Sequence, residues 1–234
     1  MTTPLSAADL EALREFDTPT ICNALELVAP ERRAVGFTTD TLVCPFPSLP
    51  PMVGFARTAL IKAMQPSALS AAEQRQARLD YYRYVAGGEG PRIVVIQDTD
   101  SRPGFGCFWG EVQTAIHKGL GCQGLVTDGG VRDLDVIAPG FQVLCGRVTP
   151  SHAWVHAVAF GLEVDVAGMV AHHDDLIHAD RHGAVVIPRE VAREVPEAAR
   201  LCGRREEPIL KVARSEGFTI EQLEAALAEA AEIH

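Results

Sequence analysis

Residues 119–137 read Gly-Leu-Gly-Cys-Gln-Gly-Leu-Val-Thr-Asp-Gly-Gly-Val-Arg-Asp-Leu-Asp-Val-Ile. A short apolar run with Leu125 and Val126 ends at Asp128, and Gly129-Gly130 break it before the adjacent Arg132 and Asp133. A run that short, closed by glycines, reads as a buried strand. Arg132 and Asp133 then stand where the strand hands over to the next element, the edge at which open α/β folds bind ligands. Arginine offers a planar fork to a carboxylate or keto acid, and aspartate offers hard oxygen to a divalent cation. The same two residues also read as a local ion pair that ties down a loop, and by themselves they support both readings equally.

Outward from that stretch, residues 91–98 form a second apolar run that reads as a buried strand. Gly104 and Gly106 lead from it to a helix over 109–119, predicted to carry Trp109, Val112, Ile116 and Leu120 on one face. A further strand is expected near 141–145. Nearer the N-terminus, Ser6 with Asp9 and Asp17-Thr18-Pro19 mark two helix starts, 30–51 reads as loop, and 53–63 alternates as a strand. Ser70 with Glu73 opens a helix carrying Leu79, Tyr82 and Val85 to a stop at Gly87-Gly88. Residues 151–170 alternate like strand, and 175–180 with 184–187 flank a hairpin turn at Arg181-His182-Gly183. Two helices close the chain, the last from Thr219 with Gln222 three residues on. Strands interleaved with helices, followed by a strand-rich half, make the class α/β.

At 234 residues the chain fits one domain with a helical extension over 190–234. A chain of that length buries roughly 70% of its unfolded surface and needs no disulfide or metal staple. The net charge of −10 argues against nucleic-acid binding and requires a locally positive pocket for any anionic substrate. The six cysteines, Cys22, Cys44, Cys107, Cys122, Cys145 and Cys202, form no CxxC pair and are expected as buried free thiols. No basic-headed leader and no run of eighteen apolar residues is present, so the expectation is a cytoplasmic protein without a membrane span.

Six of the eight histidines lie between 152 and 182. His152 and His156 imitate an HxxxH zinc pair, but on a strand that spacing is roughly 13 Å, too far for one metal. One of them lining a substrate pocket is the better reading. The run His172-His173-Asp174-Asp175 reads as a solvated turn, with His178 and His182 belonging to the hairpin fold. Cys107 sits among Phe105, Phe108 and Trp109 and reads as buried rather than nucleophilic. Of the three lysines, Lys62, Lys118 and Lys211, only Lys62 is placed for an imine. No phosphate-loop signature is completed after Gly104. The start of the 109–119 helix is a ready anion site, because its first amides are unpaired. Glu111 there either complements the helix dipole or faces the same pocket as Arg132.

Phe108-Trp109-Gly110-Glu111 followed by Asp128-Gly129-Gly130-Val131-Arg132-Asp133 resembles the core of the RraA-like family. That family holds regulator of ribonuclease activity A and the class II 4-hydroxy-4-methyl-2-oxoglutarate aldolases. Asp17-Thr18-Pro19-Thr20, Val53-Gly54-Phe55-Ala56 and the hairpin ending Val185-Val186-Ile187-Pro188 are similar to further family segments, so the likeness spans most of the chain. It implies a compact α/β/α sandwich of the swivelling β/β/α type, one domain with C-terminal helices, assembled as a homotrimer or homohexamer with sites near subunit interfaces. It also implies a divalent metal, Mg2+ or Mn2+, anchored by Asp133, a 2-oxo acid bound by Arg132, and its carboxylate cradled by Gly110, Glu111, Val112 and Gln113.

The activity that the resemblance implies is that of a metal-dependent lyase. Retro-aldol cleavage of a 4-hydroxy-2-oxo acid, or decarboxylation of oxaloacetate, passes through a pyruvate enolate whose charge a metal and an arginine stabilise without a covalent lysine. The chain departs from the family at Asn23, where many members carry Asp, and at His173-Asp174-Asp175, where Pro-Gly-Asp is usual. Many aldolases also carry a carboxylate slightly beyond Arg-Asp, whereas Asp135 here is followed by Val136. Regulator-type members tend to lack the Asp after Arg; Asp133 favours an enzyme. The alternatives are a non-catalytic regulator that binds a ribonuclease, and a related lyase or hydratase with His152 or His156 as acid–base.

Overall fold

In the computed structural model, which describes residues 4–234, the helix starts read from capping patterns carry their caps. α1 (Ala7–Arg14) opens on a reciprocal Ser6–Asp9 box, and α2 (Thr18–Val28) on Asp17, whose carboxylate accepts from the Thr20 amide. Past the largely irregular residues 29–51 comes β1 (Met52–Lys62), then α3 (Ala71–Ala86) on its Ser70–Glu73 box. β2 (Arg92–Asp98), β3 (Cys107–Trp109), α4 (Glu111–Gly119) and β4 (Cys122–Thr127) come next, and then β5 (Gly130–Val131), β6 (Gln142–Leu144) and β7 (Arg147–Val148). β8 (His156–Phe160), β9 (Val164–Val166) and β10 (Met169–Ala171) make up the alternating stretch. β11 (Leu176–Asp180) and β12 (Gly183–Ile187) form the expected hairpin. α5 (Val195–Ala213) and α6 (Ile220–Ala231) close the chain, α6 on a Thr219–Gln222 box.

The main sheet runs β12-β11-β1-β2-β4-β6. One edge of β1 pairs parallel with β2; its other edge pairs antiparallel with β11 near the start and with β8 near the end. Covered on both faces, β1 is buried from Met52 to Ala59, so it lacks the one-face alternation expected over 53–63. The strand period of two sorts its side chains. Val53 and Phe55 enter a core with α1, α2 and α5, while Ala59 and Ile61 continue that face into a core with α3 and the segment leading into α4. Met52 and Ala56 point the other way, onto the β9–β10 ribbon through Val164, Val166, Met169 and Ala171. Helices therefore cover one face and a small β layer the other, the β/β/α arrangement. Each large aliphatic residue buried in these cores contributes roughly 1.5–3 kcal/mol of transfer free energy.

Two further expectations need correcting. The 109–119 helix begins only at Glu111, because 107–109 pairs as β3, and its inward face is Thr114 and His117 rather than Val112, which is 66% exposed. Two polar residues can face inward there because both are satisfied. Thr114 Oγ1 donates to the Gly110 carbonyl, and His117 bonds Tyr81 and the Gln113 carbonyl. The run His172–Asp175 is not simply a solvated turn either. Asp174 lies 2.7 Å from the guanidinium of Arg57, which is 1% exposed, and His173 Nδ1 lies 3.0 Å from the same nitrogen. A buried cation requires such a partner. His172 does fit a solvated turn, exposed and paired with Glu163.

Candidate functional site

The Asp128–Asp133 segment changes sheets. β4 ends in the main sheet, whereas β5 lies in a separate parallel sheet ordered β3-β5-β7. β3–β5 pairing sets Trp109 opposite Val131, and the Arg132 amide donates to the Trp109 carbonyl at 2.9 Å. This short parallel pairing brings the start of α4 against Arg132 and Asp133.

The approach is close. A Cβ on Gly110 would lie 2.5 Å from Asp133 Oδ2, so what favours glycine there is the room it leaves for that carboxylate, not its extended φ of −170°. Asp133 itself is left-handed, at φ 56° and ψ 40°, a conformation that Asp tolerates better than most residues. Its Oδ2 accepts from the Glu111 amide at 3.3 Å and lies 3.4 Å from Arg132 Nε. Both side chains are partly exposed, 28% and 37%. An ion pair that long and that wet contributes about 0–1 kcal/mol. It is too weak to be the reason for the pair as a loop clip.

A cavity of about 540 Å³ opens over this junction. Gly110, Glu111, Val112, Gln113, Arg132 and Asp133, all six residues expected at the site, line it. Glu111 thus faces the pocket of Arg132. Arg78 and Tyr81 of α3 join them, as do His152 and His156. The α3 residues were not anticipated: no local motif marks them, and only their helical spacing, with Gln74, would have disclosed a shared face. His156 Nδ1 is held by the Trp154 carbonyl at 2.7 Å.

α4 begins without a side-chain cap. The Glu111 amide reaches Asp133, which leaves those of Val112 and Gln113 without a protein acceptor among the described residues. Beneath the cavity, burial pushes His117 down to about 4, so the ring is neutral. Burial, with the Asp98 carboxylate a smaller contributor, pushes Asp128 up to about 6, and its Oδ1 accepts from the Asp98 amide at 2.7 Å. Burial also pushes the Cys107 thiol up to about 12, in line with the inert reading. Lys62 does not line the cavity; Lys118 donates to the Pro139 carbonyl.

Among the described residues no group of three His, Cys, Asp or Glu side chains could enclose a metal. Asp133 fits a cation in another way. A half-exposed carboxylate with one uncommitted oxygen suits an ion that takes its remaining ligands from water and from the substrate, as Mg2+ does. Among the described residues no helix is long and apolar enough to cross a membrane. All six cysteines are free thiols, three buried and three half-buried.

An uncharacterized protein from Pseudomonas syringae pv. tomato str. DC3000 superposes with a TM-score of 0.71 at 24% identity, covering 96% of each chain. Streptomyces coelicolor RraAS2, described as an unusual member of the RNase ES inhibitor RraA protein family, gives 0.68 at 22% identity, over 88% of this chain and 98% of that one. At those identities the likeness is one of fold. No curated protein is similar enough to match. The RraA-like description, Aldolase/RraA, matches residues 18–186, which hold the whole Gly110–Asp133 junction, and the chain belongs to that family.

Proposed function

We propose that the chain is a divalent-metal-dependent lyase acting on 2-oxo acids. It cleaves a 4-hydroxy-2-oxo acid to pyruvate by retro-aldol chemistry, decarboxylates oxaloacetate, or does both. The observation that carries this reading is the meeting of Arg132, Asp133 and the open amides of α4 in one cavity. The amides of Val112 and Gln113 hold the substrate carboxylate at the positive end of the helix. Arg132 holds the 2-oxo group and remains opposite the oxygen on which negative charge grows as the C–C bond breaks. Asp133 is the residue that holds Mg2+ or Mn2+, which when bound supplies Lewis-acid polarisation of the oxo acid. Among the described residues no lysine lines the cavity, so an imine route has no nucleophile there.

Purified protein with Mg2+ or Mn2+ is expected to release pyruvate from at least one member of a panel of 4-hydroxy-2-oxo acids and oxaloacetate. EDTA should abolish the release, and Asp133→Ala should lower kcat/KM by about a hundredfold or more. Full activity in that variant would remove the assigned role. The regulator alternative draws on the description of the Streptomyces coelicolor neighbour. Co-purification of a ribonuclease, without turnover of any panel member, would put it in place of the lyase.

A further inference from the structure

Retro-aldol cleavage takes a proton from the 4-hydroxyl and gives one back to C3, and an arginine such as Arg132 can do neither. A group that does both has to line the cavity. In the lyase reading Asp133 is given to the cation, and Glu111, a carboxylate, is a weaker base than an imidazole. Burial pushes the Tyr81 hydroxyl well above its usual range, which keeps it protonated. His152 and His156 remain, and their rings differ. The His152 ring has no hydrogen-bond partner among the described residues. His156 Nδ1 lies 2.7 Å from the Trp154 carbonyl, and a carbonyl can only accept, so that nitrogen carries a hydrogen. In the neutral ring Nε2 then holds the lone pair, and it has no protein partner among the described residues. The frame behind the ring is fixed as well. The Trp154 amide donates to the Ala63 carbonyl at 3.0 Å, and His156 pairs with Lys62 as the first residue of β8.

We propose that His156, held by the Trp154 carbonyl with its Nε2 open, is the catalytic acid–base of this cavity. The inference rests on the lyase reading and deepens it. Nε2 takes the proton of the 4-hydroxyl as the O–H electron pair becomes the new C=O bond at C4. The C3–C4 pair moves into the enolate, whose oxygen stays opposite Arg132. The Nε2–H of the imidazolium then returns the proton to C3, which yields pyruvate and restores the neutral ring. The 4-hydroxyl oxygen and C3 are both bonded to C4, so one nitrogen can serve both. The carbonyl behind Nδ1 keeps the lone pair on Nε2 each time the ring is neutral, a constraint that the His152 ring lacks.

The test follows loss of the pyruvate methyl signal by proton NMR, with full-length protein and Mg2+ in D2O. Removal of a C3 proton and its return as a deuteron report the same transfer without C–C cleavage. His156→Asn keeps an N–H for the Trp154 carbonyl but has no base. It is expected to slow exchange by about a hundredfold or more, with Tm and the KM for pyruvate nearly unchanged. His156→Ala should lose as much, and added imidazole should restore about tenfold of it. In nitrogen-15 spectra of histidine-labelled protein at pH 8, one ring protonated at Nδ1 should vanish in His156→Asn. Unchanged exchange in His156→Asn overturns the proposal, as does a loss that follows His152→Asn instead, or a His156 ring protonated at Nε2 alone. Wild type that turns over a 2-oxo acid yet exchanges no pyruvate hydrogen overturns it too, and spares the lyase reading. Wild type that does neither removes both.

Discussion

Gly110 separates space from backbone freedom as reasons for a glycine. Its extended φ of −170° suits alanine, but a Cβ there would fall 2.5 Å from the Asp133 carboxylate. The atom displaced is the end of a partly exposed side chain, so the fold has room to relax. Gly110→Ala is therefore expected to leave Tm within a few degrees of wild type. It should lower pyruvate release by about a hundredfold, because a shift of about 1 Å in a positioned group costs that much. Equal loss of Tm and activity would show that Gly110 serves packing instead. At this scale the site is legible for a reason: Gly110–Gln113 and Arg132-Asp133 lie in two short, specific motifs. Tyr81 and Asp174 are not, since their meaning depends on His117 and Arg57, side chains far away along the chain.

Among the elements, caps are readable because a capping box is closed within four residues, as at Ser6, Ser70 and Thr219. β3 is not, because three residues become a strand only when β5 lies beside them. The inner face of α4 escapes a count that takes Val112 as core and gives His117 no weight. His117 and His178 join elements from inside. His117 ties α4 to α3, and His178 on β11 lies within hydrogen-bond distance of Thr18 Oγ1 and the Phe16 carbonyl. Burial lowers each to about 4. Below the ordinary histidine value of 6.5 the unfolded chain takes up two protons that the fold excludes, so stability falls as pH drops from 6.5 toward 4, by up to roughly 3 kcal/mol per ring. Asp128 works in the opposite sense. Raised to about 6, it is protonated in the fold before it is in the unfolded chain, and it regains stability between pH 6 and 3.8. Two terms against one predict a net fall in Tm over that window. His117→Gln should flatten the slope, as thermal melts across pH will show.

For the molecule as a whole, the β/β/α layering is legible only through the family motif, since periodicity alone stops at α/β. The C-terminal helices lie beyond the matched residues 18–186, yet Val195, Ala198 and Ala199 of α5 complete the core of α1 and α2. Residues 190–234 are in that sense an extension by family boundary and an internal part by packing. Light scattering is expected to give the mass of three or six chains; a monomer at all concentrations would remove the assembly that the resemblance implies.

β1 places Val53 and Phe55 in one core, Met52 and Ala56 in the second, and Ala59 and Ile61 in the third. Among the described residues no other strand enters all three. Separate cores joined only by loops would melt separately, each at its own temperature. Here the loss of any one frees a strand on which the other two depend, so the three behave as a single cooperative unit.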